Sequence, residues 1–318
     1  MAEKMYIDKL IEGIRKCGNP TVAGLDPKLE YVPSVIREKA FKEHGTGFTG
    51  AAAAITGFNK KLIDALCDIV PAVKPQLAYY EMYGLEGIKA FHETCSYAKS
   101  KGLLVIADGK RNDIGTTAEA YSAAFLGRTK IEDGEYAAFD ADALTVNPYL
   151  GVDGIKPFTD NCSKYGKGIF VLVKTSNKSS GQFQDLVLEG GKRVYEKVAG
   201  LVDEWGSESI GESGYSSVGA VVGATWPEQA KALREIMKKA YILVPGYGAQ
   251  GGTARDVVNS FNSDGLGAIV NASRSIMCAW KSVKWSDKYG EEAFDLAARA
   301  EAIRMRDEIN EALEKPHI

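Results

Sequence analysis

The segment Leu103-Leu-Val-Ile-Ala-Asp-Gly-Lys-Arg-Asn-Asp-Ile-Gly-Thr-Thr117 passes from an apolar run directly into a cluster of charges. Its apolar half does not alternate with polar residues, which predicts a strand covered on both faces, as in a parallel sheet. Working outward, similar runs recur at Thr21–Leu25, Ala72–Leu77, Ala143–Val146, Ile169–Val173, Val218–Gly223, Tyr241–Val244 and Ala268–Asn271, so that with Leu103–Ala107 there are eight. Amphipathic helical stretches such as Ile55–Ile69 and Gly87–Ser100 separate most of them, and this alternation indicates parallel βα units. An open doubly wound sheet would alternate too. Eight units in 318 residues, somewhat above the ~250 typical of a closed barrel, fit an α/β protein with the (β/α)8 TIM-barrel fold better. The extra length falls at Pro27–Gly50, Gly127–Asp140, Asn177–Gly190 and Gly206–Ser217, rich in Gly, Ser, Lys and Glu and read as loop insertions. No low-complexity linker marks a boundary, so residues 1–318 are expected to form a single barrel domain. Phe294, Ala298, Ala302, Met305, Ile309 and Leu313 recur every three or four residues, predicting a closing amphipathic helix whose apolar stripe packs on the core.

Composition excludes several function classes. With 45% hydrophobic residues the chain can bury a substantial core, and its net charge of −3 gives no basic excess to attract nucleic acid or anionic lipid. Its longest apolar stretches, such as Gly102–Ala107 and Ile169–Val173, fall far short of the ~20 residues that span a bilayer, so no membrane partner is expected. The N-terminus mixes Glu3, Lys4, Asp8 and Lys9 with apolar residues at helical spacing, unlike a signal peptide, and a cytoplasmic location is expected. The five cysteines are scattered and never form C-x-x-C, and the three histidines never form H-x-x-x-H. A disulfide framework, a thiolate metal site, zinc hydrolysis and a histidine-based triad are all disfavoured. The chemistry must use other residues.

Charges at the carboxyl end of a barrel strand usually serve binding or catalysis. Residues two apart on a strand share a face, so Asp108 and Lys110 are expected to point together into the barrel mouth, with Asp113 following in the turn. Lys74 stands at the same level inside the apolar run Pro71–Leu77 and needs a carboxylate partner. An alternating network Lys74–Asp108–Lys110–Asp113 would satisfy all four. For any one of these charges alone, a buried ion pair that merely fixes strand register is the commoner explanation; the four together favour a catalytic site.

The loops after strands seven and eight of such barrels frequently bind phosphate. Pro245-Gly-Tyr-Gly-Ala-Gln-Gly-Gly252 contributes four glycines, including Gly251, whose backbone N–H groups can face an anion, and Gln250 adds a side-chain donor. A Gly-rich turn alone is weak support, but Arg274, at the end of the last strand, can grip phosphate bidentately.

Asp108-Gly-Lys110-Arg-Asn-Asp113-Ile-Gly-Thr-Thr117 resembles the D-x-K-x-x-D-I-x-x-T signature of orotidine 5′-phosphate decarboxylases. Further matches follow in order along almost the whole chain: Ala23-Gly-Leu-Asp26, Val73-Lys74-Pro75, Lys174-Thr-Ser176, Pro245–Gly252 and Ser273-Arg274-Ser275. The signature and the insertions look most like the longer bacterial branch of that family. Asn112 and Ser273 stand where many relatives have Gly, which bears on how closely the backbone can approach a ligand.

The resemblance implies decarboxylation of orotidine 5′-monophosphate to uridine 5′-monophosphate in pyrimidine biosynthesis, with no metal and no cofactor. Loss of CO2 leaves a carbanion at C6, which Lys110 would stabilise and protonate. Asp108 would sit beside the substrate carboxylate, while Lys74 and Asp113 hold the network rigid and Lys74 also contacts the ribose. By resemblance, Asp113 is lent by the neighbouring subunit of a homodimer with a shared active site. Asp26 and Thr117 would bind the ribose hydroxyls, Thr175 and Ser176 the base, and Pro245, Gln250, Gly251 and Arg274 the phosphate end. Taken singly, Asp26 could be a turn residue and Ser176 a helix cap. Two other readings stay open: a Mg-dependent sugar-phosphate decarboxylase or aldolase of the same superfamily, and a non-catalytic nucleotide-binding protein. Lys74 argues against the first, because those relatives carry a metal-binding glutamate there, and the complete charged quartet argues against the second.

Overall fold

The computed structural model describes residues 4–248 and 251–314. Eight strands close into a barrel in chain order: β1 (Thr21–Leu25), β2 (Ala72–Pro75), β3 (Leu104–Arg111), β4 (Ala143–Val146), β5 (Gly168–Lys174), β6 (Ser216–Val222), β7 (Ala240–Val244) and β8 (Ala268–Ala272). The pairings β1–β2, β2–β3, β4–β5, β5–β6, β6–β7 and β7–β8 are parallel. Every residue of β1, β2, β4, β6, β7 and β8 is buried, the physical reason their sequences do not alternate.

The chain packs as two compact units. One is built from the chain before Gly13, Lys110–Asn271 and the chain after Asp307; the other from Gly13–Gly109 and Ala272–Asp307. In the first, the Tyr6–Cys17 helix begins, and Asp8 accepts the backbone N–H groups of Glu212 (3.0 Å) and Ser213 (2.9 Å), tying this helix to the 206–217 insertion. In the second, the Phe48–Leu66 and Gly84–Ser100 helices cover their strands, and Phe58 packs on Phe294 with ring centroids 5.1 Å apart. The Phe294–Glu314 helix buries Phe294, Ala298, Ala302, Met305 and Ile309, as the stripe predicts, with Leu313 half-buried.

Two insertions carry more structure than loops. Pro27–Gly50 contains the Ser34–His44 helix, and Gly127–Asp140 contains an antiparallel hairpin, Thr129–Ile131 against Gly134–Tyr136. No described helix is long and apolar enough to cross a membrane.

Candidate active site

The second unit holds a buried charge pair. Lys74 on β2 is 3% exposed and Asp108 on β3 is 7% exposed; Lys74 Nζ lies 2.5 Å from Asp108 Oδ2. Gln76 Nε2 donates to the same oxygen at 3.0 Å. Lys74 and Gln76 are two residues apart, so the period of a strand puts both on the face that meets Asp108. Gln76 went unnoticed in the sequence, although that spacing marks it. Burial works against the Lys74 charge, but attraction to Asp108 and then Asp26, with the Asp108 hydrogen bond, holds its pKa above the ordinary lysine value. Removing one partner would leave a buried charge uncompensated, at about 3–5 kcal/mol. Asp26, just past β1, is half-buried, and its backbone N–H faces Met277 Sδ at 3.2 Å.

In the first unit, Lys110 is exposed and has a φ of +47°, the left-handed region that an L side chain enters only at a cost. β3 continues to Arg111, and at Lys110 its backbone departs from the regular pleat. The Lys110 N–H donates to Oγ1 of the buried Thr145 at 2.9 Å, which fixes the unusual turn. Asp113 is half-buried in the turn that follows β3. Its Oδ1 accepts the N–H of Ile114 at 2.8 Å, and it has no ion-pair partner among the described residues. Among the described residues, then, no ion pair joins Asp113 to the other three charges. Thr117 is exposed in the first turn of the Gly115–Phe125 helix.

Asn112 donates through Nδ2 to the Gly154 carbonyl at 3.0 Å. A Cβ on Gly154 would stand 2.6 Å from that nitrogen and 3.0 Å from the Asp113 carbonyl oxygen, so the turn after β3 is seated on a glycine. Neither Asn112 nor Ser273 adopts a positive φ, so neither position requires glycine.

At the end of β5, Thr175 and Ser176 are half-buried. In the loop after β7, Pro245 is half-buried and its carbonyl accepts the Ala224 N–H at 2.9 Å. Gln250 lies outside the described residues. The Gly248 N–H donates to Gly252 O (2.8 Å), that of Gly251 to Gly248 O (2.9 Å) and that of Gly252 to Gly246 O (3.2 Å). Three of the four glycine N–H groups expected to face an anion are thus taken up inside the loop, because it folds back on itself. In the second unit, Arg274 is exposed at the start of the Arg274–Met277 turn of helix and has no ion-pair partner among the described residues.

Residues 55–289 match the model of the orotidine 5′-phosphate decarboxylase / HUMPS family. The chain belongs to this family. It is 42% identical over 308 residues to the orotidine 5′-phosphate decarboxylase of Caldicellulosiruptor saccharolyticus, covering 97% of this chain and 99% of that protein. It is 43% identical to that of Rhodopirellula baltica, covering 96% of this chain and 98% of the other. Among solved structures, the OMP decarboxylase of Leishmania donovani superposes with a TM-score of 0.73 at 27% identity, covering 99% of this chain and 100% of that one. Within the orotidine 5′-phosphate decarboxylase / HUMPS family, then, the sequence between Asp108 and Thr117 sits where a barrel enzyme keeps its chemistry, at the carboxyl end of a strand.

Proposed function

We propose that this chain decarboxylates orotidine 5′-monophosphate to uridine 5′-monophosphate and CO2, in the synthesis of pyrimidine nucleotides, with Lys110 as the proton donor to C6. Near-full-length relatives named for this activity support the reaction. The observation that carries the assignment of Lys110 is its left-handed backbone, two residues beyond a carboxylate buried against Lys74. Strain held by a buried hydroxyl, at the end of a barrel strand, is typical of a site that positions a group for reaction.

Departure of CO2 leaves an electron pair localised at C6. An ammonium aimed there stabilises it and then transfers a proton to it, and the compact charge and flexible stem of lysine suit both steps. Asp108 lies beside the substrate carboxylate in this reading. Two unit charges ~4 Å apart at a dielectric of ~20 repel by about 4 kcal/mol, which even fully relieved would supply only about three powers of ten in rate. Stabilisation of the carbanion is therefore the larger effect, and Lys74 and Gln76 serve to hold Asp108 still.

Arg274, exposed and without an ion-pair partner among the described residues, is the proposed phosphate grip. The Gly246–Gly252 loop would reopen its internal hydrogen bonds to join it, so phosphate binding and loop closure are one event. Asp26 and Thr117 are assigned to the ribose, Ser176 and Thr175 to the base. Asp113, with its carboxylate unpaired by the described chain, is proposed to complete the site of a second copy, which makes the working form a cytoplasmic homodimer in which each chain is one catalytic domain. A magnesium-dependent sugar-phosphate reaction is disfavoured by Lys74, whose ammonium repels a divalent cation where such chemistry needs a carboxylate.

The test is to mix the purified protein with orotidine 5′-monophosphate and a chelator, following loss of the orotate absorbance and CO2 release. Turnover that persists with chelator is expected. Activity on sugar phosphates only with Mg2+ would transfer the assignment to the metal-dependent reaction, and binding without turnover would make the protein a nucleotide-binding module.

A further inference from the structure

The insertion after β5 carries a charged fastening that the reaction itself does not use. Lys174, the last residue of β5, is completely buried. An ammonium out of water requires compensation, and it has an unusual amount: Asp185 Oδ1 at 2.7 Å, Ser180 Oγ at 3.2 Å, and the faces of Trp226 and Tyr195 at 4.7 and 5.4 Å. Asp185 and Ser180 both belong to the 177–190 insertion, so a buried charge pins the insertion to the end of the strand.

What the insertion then does is visible one residue on. Gln184 brackets Thr175: its Oε1 accepts the Thr175 N–H at 3.0 Å and its Nε2 donates to Thr175 Oγ1 at 2.8 Å. The Thr175 hydroxyl donates its proton to Asn177 Oδ1 at 2.6 Å, and its carbonyl accepts the Trp226 indole N–H at 2.8 Å. Both backbone groups of Thr175 and its one hydroxyl proton are thereby committed. Ser176 is held differently. Its carbonyl accepts the Thr225 hydroxyl at 3.2 Å, and Gly223 approaches so closely that a Cβ there would stand 2.7 Å from Ser176 Cα. The Ser176 hydroxyl has no hydrogen-bond partner among the described residues.

We infer that the insertion is a positioning device for base recognition: Gln184, anchored by the Lys174–Asp185 pair, locks Thr175 as a rigid corner so that Ser176 presents the one uncommitted hydroxyl to the pyrimidine. Gln184, Lys174 and Asp185 are positioning residues, acting through the strand end without touching substrate. The inference rests on the proposed assignment of Ser176 to the base.

Its test separates the base from the rest of the nucleotide. Affinities for uridine 5′-monophosphate and for ribose 5-phosphate, which lacks the base, are measured by calorimetry on the parent enzyme and on Gln184→Ala, Ser176→Ala and the paired Lys174→Met/Asp185→Leu variant. Gln184→Ala is expected to bind uridine 5′-monophosphate about tenfold more weakly, the loss that follows from one buried hydrogen-bonding bracket, and ribose 5-phosphate as the parent does. The paired variant should show the same selectivity without leaving a lone buried charge. Loss of both ligands in equal proportion, or of neither, in Gln184→Ala overturns the inference while Ser176→Ala still discriminates the two ligands. If Ser176→Ala binds both as the parent does, the assignment of the base contact fails and the inference goes with it.

Discussion

Lys110 occupies a backbone conformation that costs an L side chain about 1–2 kcal/mol, and the structure holds it there with a buried threonine hydroxyl. Two substitutions separate what the side chain does from what the backbone bears. Lys110→Ala removes the ammonium but keeps the strain, whereas Lys110→Gly removes both. Both are expected to lose at least about 10⁴-fold in turnover, since charge stabilisation and proton delivery go together. The glycine variant should nonetheless be the more stable of the two by about 1 kcal/mol, because φ > 0 is open to glycine. Equal denaturation midpoints would remove strain from the account. The sequence made the D-x-K-x-x-D charges legible, and period two would have sufficed to mark Gln76, which that reading passed over. It could not reveal the turn at Lys110, because lysine has no local chemistry that favours the left-handed region. Nor could it reveal Gln184, which reaches Thr175 across nine residues of an insertion with no regular period.

At the scale of elements, all eight strands were legible because burial on both faces leaves unbroken apolar runs, and every run became a barrel strand. The insertions were harder to read. The Ser34–His44 helix buries only Ala40, so it lacks the stripe that betrays a helix. The Thr129–Tyr136 hairpin is almost wholly exposed, although Asp133-Gly134 is a turn signal in its own right. The turn after β3 and the Val152–Gly154 turn meet through Asn112, an arrangement that no local pattern encodes. Because the Gly154 Cβ position lies 2.6 Å from Asn112 Nδ2 and 3.0 Å from the Asp113 carbonyl, Gly154→Ala must push the Asp113 turn away. A displacement of about 1 Å in a positioning element costs up to about a hundredfold in rate. We expect kcat to fall by about tenfold to a hundredfold while the protein remains folded by circular dichroism; an unchanged kcat would show that the turn relaxes elsewhere.

For the molecule as a whole, one prediction concerns acid sensitivity and another the proposed assembly, and each turns on a carboxylate. Burial alone would raise the Asp8 pKa, but the Ser213 hydrogen bonds and the Glu212 backbone N–H outweigh it, with Lys4 adding to them, and the net shift is downward. A folded pKa below the unfolded value of about 3.9 means that this contribution is complete above that value and is lost as pH falls through the folded pKa. Thermal midpoints of Asp8→Asn should therefore fall less steeply than the parent's as the pH is lowered below about 4, and parallel curves would exclude Asp8 from the acid response. The proposed assembly can be tested through Asp113, whose carboxylate finds no ion pair among the described residues. If it completes the site of a second copy, a Lys110→Ala chain and an Asp113→Ala chain, each inactive alone, must restore each other. In a mixed dimer the site that keeps Lys110 receives Asp113 from its partner and is whole, while the other site lacks both. Random exchange of equal amounts makes half the dimers mixed, and one site in two of those is intact, so activity should return to roughly a quarter of the parent's. A site built from one chain alone would gain nothing on mixing, because every site would still lack one of the two residues, and activity that stays at the sum of the two variants would return Asp113 to its own chain.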